Sequence, residues 1–333
     1  MNGRLENEIK NKEKIQVLLK PLPEYVTDYY YHLAASGILS KSCAEYIRIL
    51  KRFLSVIEEE KGSIKINEIT SKDINKFIVG KQIKKNDNGI AKTTGAYQKT
   101  LYSALNKFFD FLYNNNYIDD NPMKTIERPK VKDNVKRTYL TADDMNKILS
   151  VVDNGVGSDR AKARQDKWRT RDRAILLLFM NTGIRETALS EINIDDVDFE
   201  NNTITIIDKT EKTHSFRMNK KLSLALKMWI IHRKHYLKDN ETDALFISNH
   251  NTRISIDAIS DIVRKYSKEA LGYELSPHKL RAAFATILYE QTGDLEFVRI
   301  AIGHKNIETT KIYAVENRME KERASSIMES LIG

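Results

Sequence analysis

Tyr313 stands next to last in the stretch "IGHKNIETTKIYA", nine positions after His304. A tyrosine is a poor nucleophile at neutral pH because its phenol ionises near pH 10. It can attack a phosphodiester when cations lower the cost of phenolate and neutralise the phosphate. Three other stretches offer such cations. In "SPHKLRAAFAT", His278 and Arg281 stand three apart, on one face of a helix with Pro277 at its first position. Backbone N–H groups at that end also favour an anion. In "NTGIRETALSEI", Arg185 follows an apolar run and a glycine turn, among residues expected to be buried. It needs a counter-anion there, either internal, from Glu186 or Glu191, or a phosphate held by both arms of the guanidinium. In "IIDKTEKTHSF", Lys209 and Lys212 fall at or near the tip of a β segment. Each stretch alone has an ordinary reading: a capping His with a surface Arg, an internally paired Arg, solvated tip lysines. Together they supply two Arg, a Lys and one or two His, the organic cations that metal-free phosphoryl transfer needs. His232 and His235 can share a helix face, but no Cys or carboxylate set completes a metal site around them, so no metal or other cofactor is expected.

The elements that must position these groups follow from periodicity. Residues 1–20 are polar, suited to a frayed tail or a short helix. Residues 21–117 read as several amphipathic helices. Tyr46, Ile49, Leu50, Phe53 and Ile57 recur at helical spacing in a segment with a Ser at its start. Ser71 is a candidate N-cap for a helix with Ile74, Phe77 and Ile78 on one stripe, and Tyr97, Leu101, Leu105, Phe108 and Leu112 form another. Residues 118–136 hold two of the five prolines and no helical stripe, and read as a linker. A second domain, 137–333, opens on a capping-box-like pair, Thr141 and Asp144. "RDRAILLLFMNT" must be a helix buried almost all round, ended by Gly183. "TITIIDKTEKTHSFRM" reads as a hairpin or three-stranded sheet, and helical patterns continue to the end. The expected fold is mainly α: a small helical domain, then a mostly helical domain with one small antiparallel sheet.

Composition narrows the partner. With 55 Lys and Arg against 46 Asp and Glu, the formal charge is +9, which favours a polyanion such as nucleic acid over a surplus kept for solubility. Two basic clusters stand out, Lys61 to Lys107 and Arg160 to Arg173, as if to clamp a duplex from two domains. Cys43 is the only cysteine, so no intramolecular disulfide is possible. No apolar run reaches the length of a membrane span, and the first residues lack the apolar core of a signal peptide. A cytoplasmic protein bound to DNA, with no membrane partner, is the expectation.

The four stretches "TGIRETALSEI", "IIDKTEKTHSF", "SPHKLRAAFAT" and "IGHKNIETTKIYA" occur in an order that resembles the tyrosine recombinase (phage integrase) family, over roughly residues 22–333. The layout is similar to that of its simple two-domain, Xer- or Cre-like members, which implies that the N-terminal helices, 21–117, are a core-type DNA-binding domain and that 137–333 is a mixed α/β, mostly helical catalytic domain. The resemblance implies that Arg185, Lys209, His278, Arg281, His304 and Tyr313 are catalytic. It implies site-specific cutting and rejoining of double-stranded DNA through a 3′-phosphotyrosyl link, by a homotetramer on two sites that exchanges strands through a Holliday junction, with accessory proteins in some systems. The chain departs from the family at Lys209, which lacks flanking glycines and leaves Lys212 as a rival, at Ala282, where a second His is frequent, and at Ile302, where Leu is commoner. Ala324, Ile327, Met328 and Leu331 make an apolar face on a tail helix, for docking either on a neighbouring protomer, as the family implies, or on its own domain. Candidate DNA contacts are Lys92 and Lys99 in the first domain and Arg253, Ser255 and Arg264 in the second, with the 160–173 loop as a further phosphate contact. Two rival functions stand beside recombination: a type IB topoisomerase, and a DNA-binding regulator on an inactive recombinase scaffold.

Overall fold

The computed structural model describes residues 3–63, 65–80, 95–130, 140–207, 213–237, 242–303, the backbone of 83–86 and 89–92, and the single positions 307, 310, 328, 329 and 332. The chain divides into two units, residues 4–136 and residues 1–3 with 137–333. It is mainly helical, as expected.

The first unit contains α1 (Gly3–Leu19), α2 (Glu24–Ala35), α3 (Ser40–Lys61), α4 (Ser71–Gly80), β1 (Ile83–Asn86), β2 (Gly89–Lys92) and α5 (Gly95–Asn114). Its core is where the stripes converge. Ile49, Leu50, Phe53 and Ile57 of α3 are buried with Phe77 of α4 and Leu101, Leu105, Phe108 and Leu112 of α5. The Phe53 ring lies 5.2 Å from that of Phe77 and 6.1 Å from that of Phe109, both edge-on, the arrangement aromatic quadrupoles prefer. Residues 3–19, expected as tail or short helix, form a helix that buries Ile15 and Leu19. The cap of α4 falls one residue earlier than expected. Thr70 and Asp73 bond each other's backbone and side chains, while Ser71 Oγ donates to Pro122 O at 2.8 Å. Ser71 thereby ties down the start of the expected linker. A short 3₁₀ turn at Pro122–Thr125 follows, and Ile118, Met123 and Ile126 are buried in this unit's core. The antiparallel pair β1–β2 was not foreseen.

The second unit contains α6 (Ala142–Asn154), α7 (Asp159–Asp166), α8 (Arg169–Thr182), α9 (Glu186–Glu191), β3 (Val197–Asp198), β4 (Thr203–Ile207), β5 (Thr213–Arg217), α10 (Lys220–Leu237), α11 (Ile256–Leu271), α12 (Pro277–Thr292) and α13 (Leu295–Ala301). The capping box of α6 is present: Thr141 Oγ1 accepts from Asp144 N at 3.2 Å, and Asp144 Oδ2 accepts from Thr141 N at 3.0 Å. Helix α8 is central. Ala174 to Phe179 are all buried, because α6, α10 and α12 surround the helix. Its N-terminal turn is fixed by a buried ion pair. Arg171 donates Nε and Nη2 to Asp172 Oδ1 at 3.0 and 2.8 Å and Nη1 to Ile247 O at 2.9 Å, and Tyr266 Oη donates to Asp172 Oδ2 at 2.9 Å. The sheet has the order β3–β4–β5, antiparallel throughout, with Ile206 opposite His214 and Ile207 opposite Thr213.

The basic stretch 160–173 is not a loop. It forms α7 and the start of α8, with Arg171 buried, Arg169 paired to Asp166 at 2.8 Å and Arg173 to Asp153 at 2.5 Å. Three of its seven cations are therefore neutralised internally. No helix among the described residues is long and apolar enough to cross a membrane.

Candidate active site

The "NTGIR" turn explains how Arg185 is held. Thr182 Oγ1 donates to Leu178 O at 2.7 Å, one turn back, and accepts from Ile184 N at 3.2 Å. Between them Gly183 ends α8 with φ +57°, the left-handed region that glycine adopts without a Cβ penalty. A Cβ on Gly183 would lie 2.5 Å from Phe284 Cδ1 of α12, so the turn also needs glycine for close approach. Ile184 is buried and anchors the exit. Arg185 then stands at the N-cap of α9 in extended conformation, half-buried. Among the described residues its guanidinium has no hydrogen-bond or ion-pair partner. Glu186, one of the two internal counter-anions expected, instead accepts from Ser260 Oγ of α11 at 3.2 Å.

Arg281 has the opposite character. It is 3% exposed, and its Nη1 donates to Gly183 O and its Nη2 to Ile302 O, the latter at 2.5 Å. The side chain of α12 thus ties the end of α8 to the end of α13. His278 occupies the first turn of α12, beyond Pro277, with its ring exposed. Partial desolvation is the main reason its pKa falls below the ordinary histidine value, the positive charge of Arg281 the next. Glu186 opposes the shift, while Lys279 and Arg185 add to it. The imidazole is therefore neutral at pH 7 and able to accept a proton. The three described members of the sequence-derived set, Arg185, His278 and Arg281, share one electrostatic neighbourhood, reached from α9 and α12.

Lys209, Lys212, His304 and Tyr313 lie outside the described residues. So do Ala324, Ile327 and Leu331 of the tail face, while Met328 is exposed. Among the described residues no group of three or more His, Cys, Asp or Glu could hold a metal ion.

The DNA-contact candidates fare unevenly. Lys92 falls on β2 with its side chain outside the described set, and Lys99 is half-buried on α5. Arg253 is a correction. It is 6% exposed, and its Nη1 donates to Ser190 O and Ile192 O at 3.1 Å each while Nη2 donates to Asn193 Oδ1 at 2.7 Å. It satisfies carbonyls at the C-terminus of α9 rather than facing a duplex. Ser255 is the N-cap of α11, accepting from Ala258 N at 3.1 Å. Arg264 is exposed but paired to Asp261 at 2.8 Å.

Comparison with known proteins identifies relatives of the chain. Residues 138–320, more than half of the chain, match the model of the Phage integrase family. A tyrosine recombinase XerC from Thermodesulfovibrio yellowstonii is 31% identical over 297 residues, 87% of this chain and 90% of that protein. The XerC of Alcanivorax borkumensis is 29% identical over 221 residues, 66% of this chain and 69% of that one. Among solved structures, XerH site-specific recombinase bound to palindromic difH substrate has a TM-score of 0.65 at 22% identity, covering 87% of this chain and 80% of that one. A lambda integrase(75-356) dimer bound to a COC′ core site has a TM-score of 0.64 at 20% identity, covering 89% and 95%. At such identities the structures speak for the fold, and the sequence matches carry the family. The chain belongs to the phage integrase family and is a site-specific tyrosine recombinase.

Proposed function

We propose that the protein cuts and rejoins double-stranded DNA at a specific site by two transesterifications, with Tyr313 as nucleophile. The Tyr313 phenol oxygen attacks a backbone phosphorus and its proton passes to His278. The P–O5′ bond breaks as the P–O(Tyr) bond forms, and the 5′-oxygen takes a proton from Lys209, or from its neighbour Lys212. Arg185 and Arg281 bind the non-bridging oxygens, and His304 adds a hydrogen bond to one of them. The phosphotyrosyl link conserves the ester, so a 5′-hydroxyl from the same or another duplex can reverse the step without an energy source. Strand exchange between two duplexes needs four such sites, hence a homotetramer assembled on two DNA sites.

One observation carries this reading: Arg185 is half-buried with no hydrogen-bond or ion-pair partner among the described residues. A cation held there by a purpose-built turn calls for an anion from outside, and a phosphate fits both its fork and the neighbouring neutral imidazole. Solved structures of similar fold that are bound to recombination-site DNA lend support.

The test is covalent trapping. Cells expressing the protein are lysed in detergent, protein-linked DNA is recovered and its ends are sequenced. Wild type should yield fragments sharing one sequence, attached through a 3′-phosphate, and Tyr313→Phe should yield none. Adducts at random sequence, with relaxation of plasmids lacking the site, would replace recombinase action by topoisomerase action. No adduct from wild type would end the Tyr313 chemistry.

A further inference from the structure

Helix α10 is apolar on two faces. Leu222, Ala225, Leu226, Trp229 and Leu237 are buried in the core of the second unit, where the helix packs on α8. Leu224, Met228 and Ile231 form a second line, at i, i+4 and i+7, and are 61%, 47% and 67% exposed. A helix laid on a core by one stripe turns polar residues to water on the other side. Single exposed aliphatics need no explanation, but three large ones aligned on one helix face make a patch.

The surroundings of that line are cationic. Helix α10 contains no Asp or Glu. Lys220, Lys227 and Lys234 run along one flank at 3.6 residues per turn, and Lys221 stands on the other. All four are exposed, and none makes an ion pair among the described residues. Lys227 is placed by packing instead, its Nζ 5.2 Å from the centre of the Phe199 ring. The face is thus an apolar line between lysines, with no acid on the helix to neutralise them.

We propose that this face docks a helix of a second protein, one whose apolar residues at i, i+3 or i+4, and i+7 are flanked by Asp and Glu. Charge complementarity selects that occupant. A second copy presenting the same face would set lysines against lysines. A DNA backbone would meet the lysines but give the three aliphatics nothing to pack on. An acidic amphipathic helix satisfies both: its apolar residues cover Leu224, Met228 and Ile231 while its carboxylates meet the lysines on either side. The line from Leu224 to Ile231 runs about 10 Å, two helical turns, which suits one helix crossing another. A contact of that size is weak and transient, as for a regulator that comes and goes. None of the residues assigned to the chemistry lies on α10, so the inference stands apart from the phosphotyrosyl reading.

The experiment displays a library of helical peptides, about 18 residues and roughly 27 Å long, randomised over apolar, acidic and basic residues along one face. It is selected on the full chain and counter-selected on a Leu224→Ser, Ile231→Ser double variant. Peptides that survive should carry apolar residues at i, i+3 or i+4, and i+7 with Asp or Glu beside them. A labelled survivor should bind the serine variant, and a Lys227→Glu, Lys234→Glu variant, at least about tenfold more weakly than wild type. Replacing its acids by Lys should reverse the preference, so that the glutamate variant binds it better than wild type does, which a merely damaged helix could not. Tm should stay at the wild-type value in both variants, because the substituted side chains are exposed. No enrichment over the counter-selection, or survivors with basic or uncharged flanks, would overturn the inference. So would vesicles of phosphatidylglycerol and phosphatidylcholine, or recombination-site DNA, losing affinity for the two variants as steeply as the peptide does. Self-association of wild type that both variants abolish would assign the face to a second copy and overturn it too. A failed selection leaves the Tyr313 chemistry untouched, and a missing adduct leaves the selection valid.

Discussion

Arg185 and Arg281 carry the same guanidinium but are held by opposite means, so substitution should separate them. Arg185 makes no hydrogen bond or ion pair among the described residues, and its turn is built by Thr182 and Gly183 instead. Arg185→Ala should slow adduct formation by about 100-fold or more, the scale of losing one transition-state donor, and leave Tm unchanged. Arg281 is buried and satisfies two carbonyls on different elements. Arg281→Ala should abolish the adduct and also lower stability by about 2 kcal/mol or more, since buried acceptors lose their donors. Chemical denaturation beside adduct rates reads both, and an equal stability loss in the two variants would make Arg185 structural. The pKa of His278 can be followed by NMR. Its midpoint should lie below the ordinary 6.5, because desolvation and then Arg281 disfavour the imidazolium, and Lys279→Met should raise it by removing a nearby charge. The linked stability has a definite sign. Above the unfolded value near 6.5 both states are neutral and the contribution is complete. As pH falls toward the depressed folded value, the unfolded chain takes the proton first and stability declines. The types of these side chains and their order were legible in the sequence. Their division of labour was not, because it depends on carbonyls 21 and 98 residues from Arg281.

At the scale of elements, the turn between α8 and α9 is the joint on which the site depends. Gly183 meets two demands at once, φ +57° and a Phe284 edge 2.5 Å from any Cβ. Gly183→Ala should therefore cost about 1–3 kcal/mol, the range for overpacking, with αL strain added. Displacement of Arg185 should lower the adduct rate as well. A wild-type Tm in this variant would mean that Phe284 yields without cost. The capping box at Thr141 and the all-round burial of α8 could be read in advance because both are local patterns, one of spacing and one of hydrophobic run. The cap of α4 was misplaced by one residue because Thr70 and Ser71 are both good caps, and only the contact of Ser71 with Pro122, 51 residues away, decides between them. The β1–β2 hairpin is hard to see in sequence because four-residue strands rich in lysine show little alternation, although Asp87 and Asn88, of turn-forming types, stand between them in the chain. Arg253 was misassigned for a general reason. An arginine beside a helix N-terminus looks the same in sequence whether it reaches outward to phosphate or inward to carbonyls, and here Ser190 O and Ile192 O claim it.

For the whole molecule the argument concerns charge. Many basic residues expected on a DNA face are paired internally, including Arg169, Arg173 and Arg264. Such pairs remove one charge of each sign, so they leave the surplus untouched: 55 basic less 46 acidic residues is 9. That surplus favours a polyanionic partner, while the number of phosphates one protomer meets is set by the cations on the face that meets them. If roughly six to nine phosphates are contacted, the logarithm of the association constant should fall against the logarithm of salt concentration with a slope of about −5 to −8 per protomer. Rapid filter binding of the recovered site at several KCl concentrations measures it. The adduct rate at saturating DNA should respond far less, because Arg185 and Arg281 act at short range in a partly desolvated site where mobile ions screen poorly. A slope near zero would assign the surplus to solubility. A catalytic rate that falls as steeply as affinity would mean that the phosphate site is open to solvent, and that its cations gain little from the turns that hold them.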